Sequence, residues 1–164
     1  MSVKITYSIA PDVAIDKAVD SIKQQVEARS YTAANELRNS ALEILRGARS
    51  GRRYKVPGTF RRQRDKSTGK MVNGRYYTAS APGEPPAMRT GTFRRSWQPK
   101  ALVNGTIFIS RIESNARTDN GKFLLGELLE DGSPGGKIAP RPHHEKILEH
   151  AEPKIVRIYS APYV

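Results

Sequence analysis

The chain has 164 residues, of which 37% are hydrophobic and 27% charged, with a net charge of +12 and no cysteine. That length suits a single domain with one modest core. The lack of cysteine excludes disulfides and thiolate metal sites, and no apolar run approaches the ~20 residues that cross a bilayer.

The charge is unevenly placed. Residues 46–100 carry fifteen basic and two acidic side chains, whereas residues 1–45 carry five and six, and residues 101–164 carry eight of each. An exposed surface of that density attracts phosphate backbones or acidic protein surfaces in a salt-dependent way. The opening M-S-V-K-I-T-Y lacks the long apolar stretch of a secretory signal, so assembly in a cytosol is expected.

In chain order, residues 1–10 alternate Val3, Ile5, Tyr7 and Ile9 with polar residues, a period of two that fits a short strand or extended arm. Pro11-Asp12 is a helix start with Asp12 as N-cap. Apolar residues from Ile15 to Leu45 keep a period near 3.6, predicting a helix over 12–48 that either runs unbroken or breaks near Ser30-Tyr31-Thr32. Gly47 and Gly51 end it.

Residues 49–77 are strongly basic. Ser67-Thr68-Gly69-Lys70 and Asn73-Gly74 supply turn chemistry, which predicts a protruding hairpin arm with Tyr54, Phe60, Tyr76 and Tyr77 near its base. Arg52, Arg53, Lys55, Arg61, Arg62, Arg64, Lys66, Lys70 and Arg75 are its candidate DNA or partner contacts. Arginines interleaved with aromatics fit a nucleic-acid surface. No recognition-helix, zinc-finger or RNP pattern accompanies them, so the alternatives are sequence-independent contact or a solvated basic loop.

The stretch A-S-A-P-G-E-P-P-A-M-R-T-G-T-F-R-R-S, residues 79–96, follows. Pro82, Pro85 and Pro86 bias it toward extended conformations, and Gly83 and Gly91 suit turns or close approach. It predicts a stiff connection with a turn at Thr90-Gly91 and an apolar anchor at Phe93 or Trp97. Residues 97–138 then supply sheet and turns. The clearest hairpin runs from Ala101 to Glu113 around Asn104-Gly105. Lys122–Asp131 fits either a short helix or a buried strand. Within 139–164, Ala139-Pro140-Arg141-Pro142 leads to a helix over His143–Glu152, and Pro153 begins a second segment.

No catalytic signature emerges. In H-H-E-K-I-L-E-H, His150 lies six residues from His144 and seven from His143. Seven helical residues put two histidines about 10 Å apart along the axis, too far for the shared ion of an H-E-x-x-H pair. G-S-P-G-G-K, residues 132–137, lacks the first glycine and the hydroxyl of a phosphate-binding P-loop. Glu127, Glu130 and Asp131 fit an ordinary helix or turn surface. The chain is expected to be no enzyme and to use no metal or cofactor.

Residues 79–96 resemble the signature of a family of small structural proteins of long-tailed bacteriophages, in which S-A-P-G-E-P-P-A leads to T-G-x-L-R-x-S; Phe93 takes the usual leucine place. L-L-E-D-G-S (128–133) resembles that family's acid-glycine turn. A-P-R-P-H-H-E-K-I-L (139–148) resembles its R-P ending, with His143-His144 in place of an aromatic–aliphatic pair. The resemblance implies a tail-completion or head–tail joining (neck) protein, α+β in class. A long N-terminal amphipathic helix and a C-terminal helix would pack on a small antiparallel sheet, with the basic hairpin protruding.

It also implies a homo-oligomeric ring in the virion, assembled in the host cytoplasm. Its partners would be head-closure or connector proteins and the tail terminator or tail tube, with genomic DNA in the lumen and no membrane. The implied subunit-docking residues are Pro82, Gly83, Glu84, Pro85, Pro86, Arg89, Thr90, Gly91, Phe93 and Arg94, with Glu130, Gly132, Arg141 and Pro142 in the C-terminal motif. The alternatives are a non-specific nucleic-acid-binding protein, ribosome- or nucleoid-associated, and a tail terminator or other minor tail protein.

Overall fold

The computed structural model describes residues 11–56, 67, 74–104 and 106–163. The expected strand or arm over 1–10 and the expected tip of the basic hairpin lie outside them.

Helix α1 spans Pro11–Ile44 without a break, 34 residues or about 51 Å at 1.5 Å per residue. It starts one residue before the expected position, so Asp12 sits inside the first turn and does not cap it. A proline opens a helix well because its fixed φ is already helical and its missing N–H would have had no partner there. The helix ends four residues short of the expected Ala48. Leu45 extends the apolar stripe and is 2% exposed. Its amide still bonds the Ala41 carbonyl at 3.0 Å, but the following amides of Arg46 and Gly47 bond only three residues back, to Glu43 and Ile44. Tertiary burial, not helix, explains that last apolar position.

Strands β1 (Arg53–Lys55) and β2 (Tyr76–Thr78) pair antiparallel, with Tyr54 opposite Tyr77. After the short helix α2 (Thr92–Arg95), strands β3 (Trp97–Asn104) and β4 (Ile107–Ser114) form the expected hairpin, in register from Trp97–Ser114 to Asn104–Ile107. Helix α3 (Leu125–Asp131) resolves the helix-or-strand ambiguity as helix. Helix α4 (His144–Ser160) runs through Pro153, so the expected second segment does not exist. The class is α+β, with two small antiparallel sheets.

The interior is small and tightly approached. Ala33, Ala34, Ala41 and Ala151 are fully buried beside Ser30 and Ser40; small side chains let α1 lie close to α4 and the β3–β4 hairpin. Leu45, Trp97 and Ile147 complete the core with Ala41, and Ile44, Phe93 and Ile112 pack against it. Each buried Leu or Ile contributes about 1.5–3 kcal/mol. The buried hydroxyls are satisfied across elements. Ser30 Oγ and Ser110 Oγ each share a 3.1 Å hydrogen bond with Tyr159 OH, and Ser110 Oγ also donates to the Ser30 carbonyl at 2.8 Å. Ser40 Oγ bonds His150 Nδ1 at 3.1 Å.

Candidate docking surface

Residues 79–91 contain no regular helix or strand, yet their backbone is tied down at nearly every turn. The Glu84 carboxylate accepts from Ser50 Oγ at 2.6 Å, Ala81 N at 2.9 Å and Ser50 N at 3.1 Å. Those hydrogen bonds, Ser50 Oγ first, hold its pKa down to about 2, since each favours the charged form. Buried Ser80 donates from Oγ to the Pro85 carbonyl at 2.7 Å. Arg49 donates to the carbonyls of Ile44 at 2.7 Å and Pro86 at 3.2 Å, joining the end of α1 to the segment. Partial burial lowers the Arg49 pKa, opposed by the nearby Glu84 charge. Gly51 permits this approach: a Cβ there would sit 2.5 Å from the Ala79 carbonyl oxygen.

The expected docking residues divide by position. Pro82, Gly83, Arg89 and Thr90 are exposed, Pro85, Phe93 and Arg94 are half-buried, and Pro86 and Gly91 are buried. Glu84 points into its own chain as a clip. Gly91, with φ of 81°, turns the backbone into α2, as the Thr90-Gly91 pair predicts. Phe93 then meets Trp97 edge-on at 5.7 Å and His143 at 5.6 Å, so both expected apolar anchors are used. Arg94 Nε donates to the Leu42 carbonyl at 3.0 Å.

The C-terminal motif reaches the same place. Arg141 Nη1 donates to the Ser80 carbonyl at 2.5 Å and the Ala81 carbonyl at 3.4 Å. Its amide bonds Leu129 O at 2.7 Å, and the Gly83 amide bonds Pro140 O at 3.4 Å. Pro142 is half-buried. Gly132 has φ of 82° and ψ of −178°, a conformation open essentially to glycine alone. Lys146 Nζ, at the start of α4, donates to the Gly83 carbonyl at 3.1 Å.

Glu130 has a role its sequence context does not announce. One carboxylate oxygen accepts from the amides of His143 at 2.9 Å and His144 at 3.3 Å, satisfying donors at the start of α4. The same oxygen lies 2.7 Å from His143 Nδ1, which also faces the Arg141 carbonyl at 3.0 Å. Two acceptors place the ring proton on Nδ1. Burial lowers the His143 pKa, opposed by the Arg141 carbonyl and Glu130. Glu130, His143 and His144 bring three ligand-type atoms within 4.8 Å. The 2.7 Å separation is a hydrogen bond, however; two donors on one tetrahedral zinc stand about 3.4 Å apart at the usual bond lengths. The trio is a helix cap. His150 turns away to Ser40 and Glu43 of α1.

Of the basic contacts, Arg53 and Lys55 lie in β1, Arg52 just before it and Arg75 just before β2. Arg53 covers the Tyr76 ring at 4.4 Å and Arg52 the Tyr54 ring at 5.6 Å, while Tyr54 stacks on Tyr77 at 5.8 Å. Arg61, Arg62, Arg64, Lys66 and Lys70, like Phe60, lie outside the described residues.

Between the 86–94 segment, the loop after β4 and α3 lies a groove of about 730 Å³. Phe93, Leu125 and Leu128 supply apolar lining, and Arg89, Arg94 and Arg117 supply charge. Comparison with known protein families, curated proteins and solved structures finds no match to the chain. Among the described residues no helix is long and apolar enough to cross a membrane.

Proposed function

We propose that the chain is a structural subunit of the neck of a long-tailed bacteriophage, a tail-completion or head–tail joining protein repeated around a ring. One observation carries the reading. The three stretches that resemble the phage family are separated in sequence, yet they converge on Arg141, whose side chain bonds the Ser80 and Ala81 carbonyls and whose amide bonds the Leu129 carbonyl, with Gly83 also bonded to Pro140. Motifs that meet in space form one surface, and a proline-rich surface held by its own hydrogen bonds loses little entropy when it docks. Its groups stabilise backbone shape, which suits assembly and not catalysis.

In this reading the basic residues between β1 and β2 face genomic DNA or a neighbouring connector ring. The arginine–tyrosine stacks at the base favour a second reading, a non-specific nucleic-acid-binding protein. The two separate when purified chain is incubated with DNA-filled heads and free tails and the particles are imaged in negative stain. Chain-dependent joining, with labelled protein at the joint, is expected. Binding to free DNA with no association with heads or tails would overturn the neck reading.

A further inference from the structure

Helix α1 extends well beyond the packed body. The end of α4 is tied to Arg29, which donates to the carbonyls of Ala161 at 2.5 Å and Pro162 at 2.6 Å. Ahead of that point residues 12–24 are all exposed. Asp12 to Ala28 makes about 25 Å of helix, and in proteins most helical stability comes from packing an amphipathic face.

This extension carries an apolar seam. Ile15, Val19 and Ile22 are 62%, 42% and 46% exposed, and Val26 is half-buried. At about 100° per residue the four fall within an arc of about 60°. Asp12, Asp16 and Asp20, four apart, run as a stripe beside it. Among the described residues none of these carboxylates has an ion-pair partner.

The groove offers the opposite chemistry. Its apolar lining is bordered by Arg89, Arg94 and Arg117, with Asp119 also present. Arg94 and Arg117 donate to the neutral carbonyls of Leu42 and Gly121. None of the three arginines pairs with a carboxylate among the described residues. The helix extension cannot fill the groove of its own copy. Leu45 lines that groove, and 20 residues of α1 lie between it and Gln24, about 30 Å of rod.

We infer that the α1 extension of one copy docks in the arginine-bordered groove of the next. Ile15, Val19 and Ile22 lie on the apolar lining, and the aspartate stripe faces the arginines. Because the two surfaces sit at opposite ends of α1, the contact is head-to-tail and propagates into a ring or filament. The inference rests on the ring reading above and names the surface that builds the ring.

The native chain has no cysteine, so site-specific cross-linking is clean. Ile15→Cys and Met88→Cys place thiols on the exposed seam and on the exposed groove edge. With a short thiol-reactive cross-linker, mixing the two variants should give covalent dimers that neither gives alone, and the I15C/M88C double variant should give a ladder. In the I15C/M88C double variant, where every copy carries both changes, Asp16→Arg should abolish the ladder and adding Arg89→Asp should restore it. Dimers from I15C alone would mean that seams pair with each other and would overturn the inference. So would absence of cross-links while the unsubstituted protein forms multi-copy particles, a result that leaves the ring reading standing. A protein that stays single at every concentration would sink both.

Discussion

Arg141 Nη1 lies 2.5 Å from the carbonyl oxygen of Ser80, 61 residues earlier in the chain. This contact joins the R-P motif to the start of the proline-rich segment, and a buried serine carries the accepting carbonyl. Its disruption should loosen both motifs together.

Arg141→Ala should therefore lower stability by about 1.5–3 kcal/mol, the usual scale for hydrogen bonds to a charged group. Arg141→Lys should recover only part of the loss, because an ammonium lacks the planar fork. Denaturant midpoints at constant slope read the effect; a loss below about 0.5 kcal/mol would count the contact as incidental surface packing.

Gly132→Ala should cost about 1–3 kcal/mol from backbone strain alone. Contact raises that further, since the new Cβ would meet Ile138 O at 2.7 Å and Pro140 Cδ at 3.1 Å. Gly135→Ala is the comparison: φ is 87° there too, but nothing lies within 4 Å of an added Cβ. Thermal unfolding should rank Gly132→Ala clearly below Gly135→Ala. Equal midpoints would mean that the acid-glycine turn yields without cost.

Two pH windows follow from the lowered pKa values. Glu84 is held at about 2, against an ordinary 4.5. The folded state therefore binds fewer protons, and stability present above 4.5 is lost as pH falls through the folded value. His143 is lowered from 6.5 by burial, so its contribution is complete above 6.5 and declines as pH falls below it. In a pH series of unfolding midpoints, Glu84→Gln should flatten the decline below 4.5 and leave the one just below 6.5. Identical profiles would contradict the role of Glu84 as a clip.

Pro153 is exposed within α4, where a proline removes a helical donor and crowds the preceding turn. Pro153→Ala should raise stability, with a ceiling of about 3 kcal/mol from helix propensity, reduced by the greater freedom of the unfolded chain. A lower melting midpoint would show that the proline ring makes a contact worth more than the missing hydrogen bond.

The parts of the structure that follow from local pattern were legible in the residues. Ala101–Glu113 alternates around Asn104-Gly105, and the β3–β4 hairpin forms there; the 3.6-residue stripe marks α1, and Gly91 turns the chain as expected. The misplaced boundaries have tertiary causes. Leu45 continues the stripe because it enters the core, although the helix has ended. Ile155 and Ile158 stay half-buried on a helix that continues through Pro153. In the candidate surface, the proline-rich segment was visible but its fastening was not. Glu130 caps α4 from 13 residues away, and Glu84 reaches back 34 residues to Ser50. Long-range pairings of that kind leave no periodic trace in one sequence.

The central claim is that this chain is a ring subunit, and the mass of the purified, nuclease-treated protein in solution tests it most directly. Light scattering and native mass spectrometry over a concentration series should find a discrete multiple of the chain mass free of nucleic acid, with ring-sized particles in negative stain. A monomer at every concentration, binding free DNA tightly and in a salt-sensitive way, would contradict it and favour the nucleic-acid-binding reading.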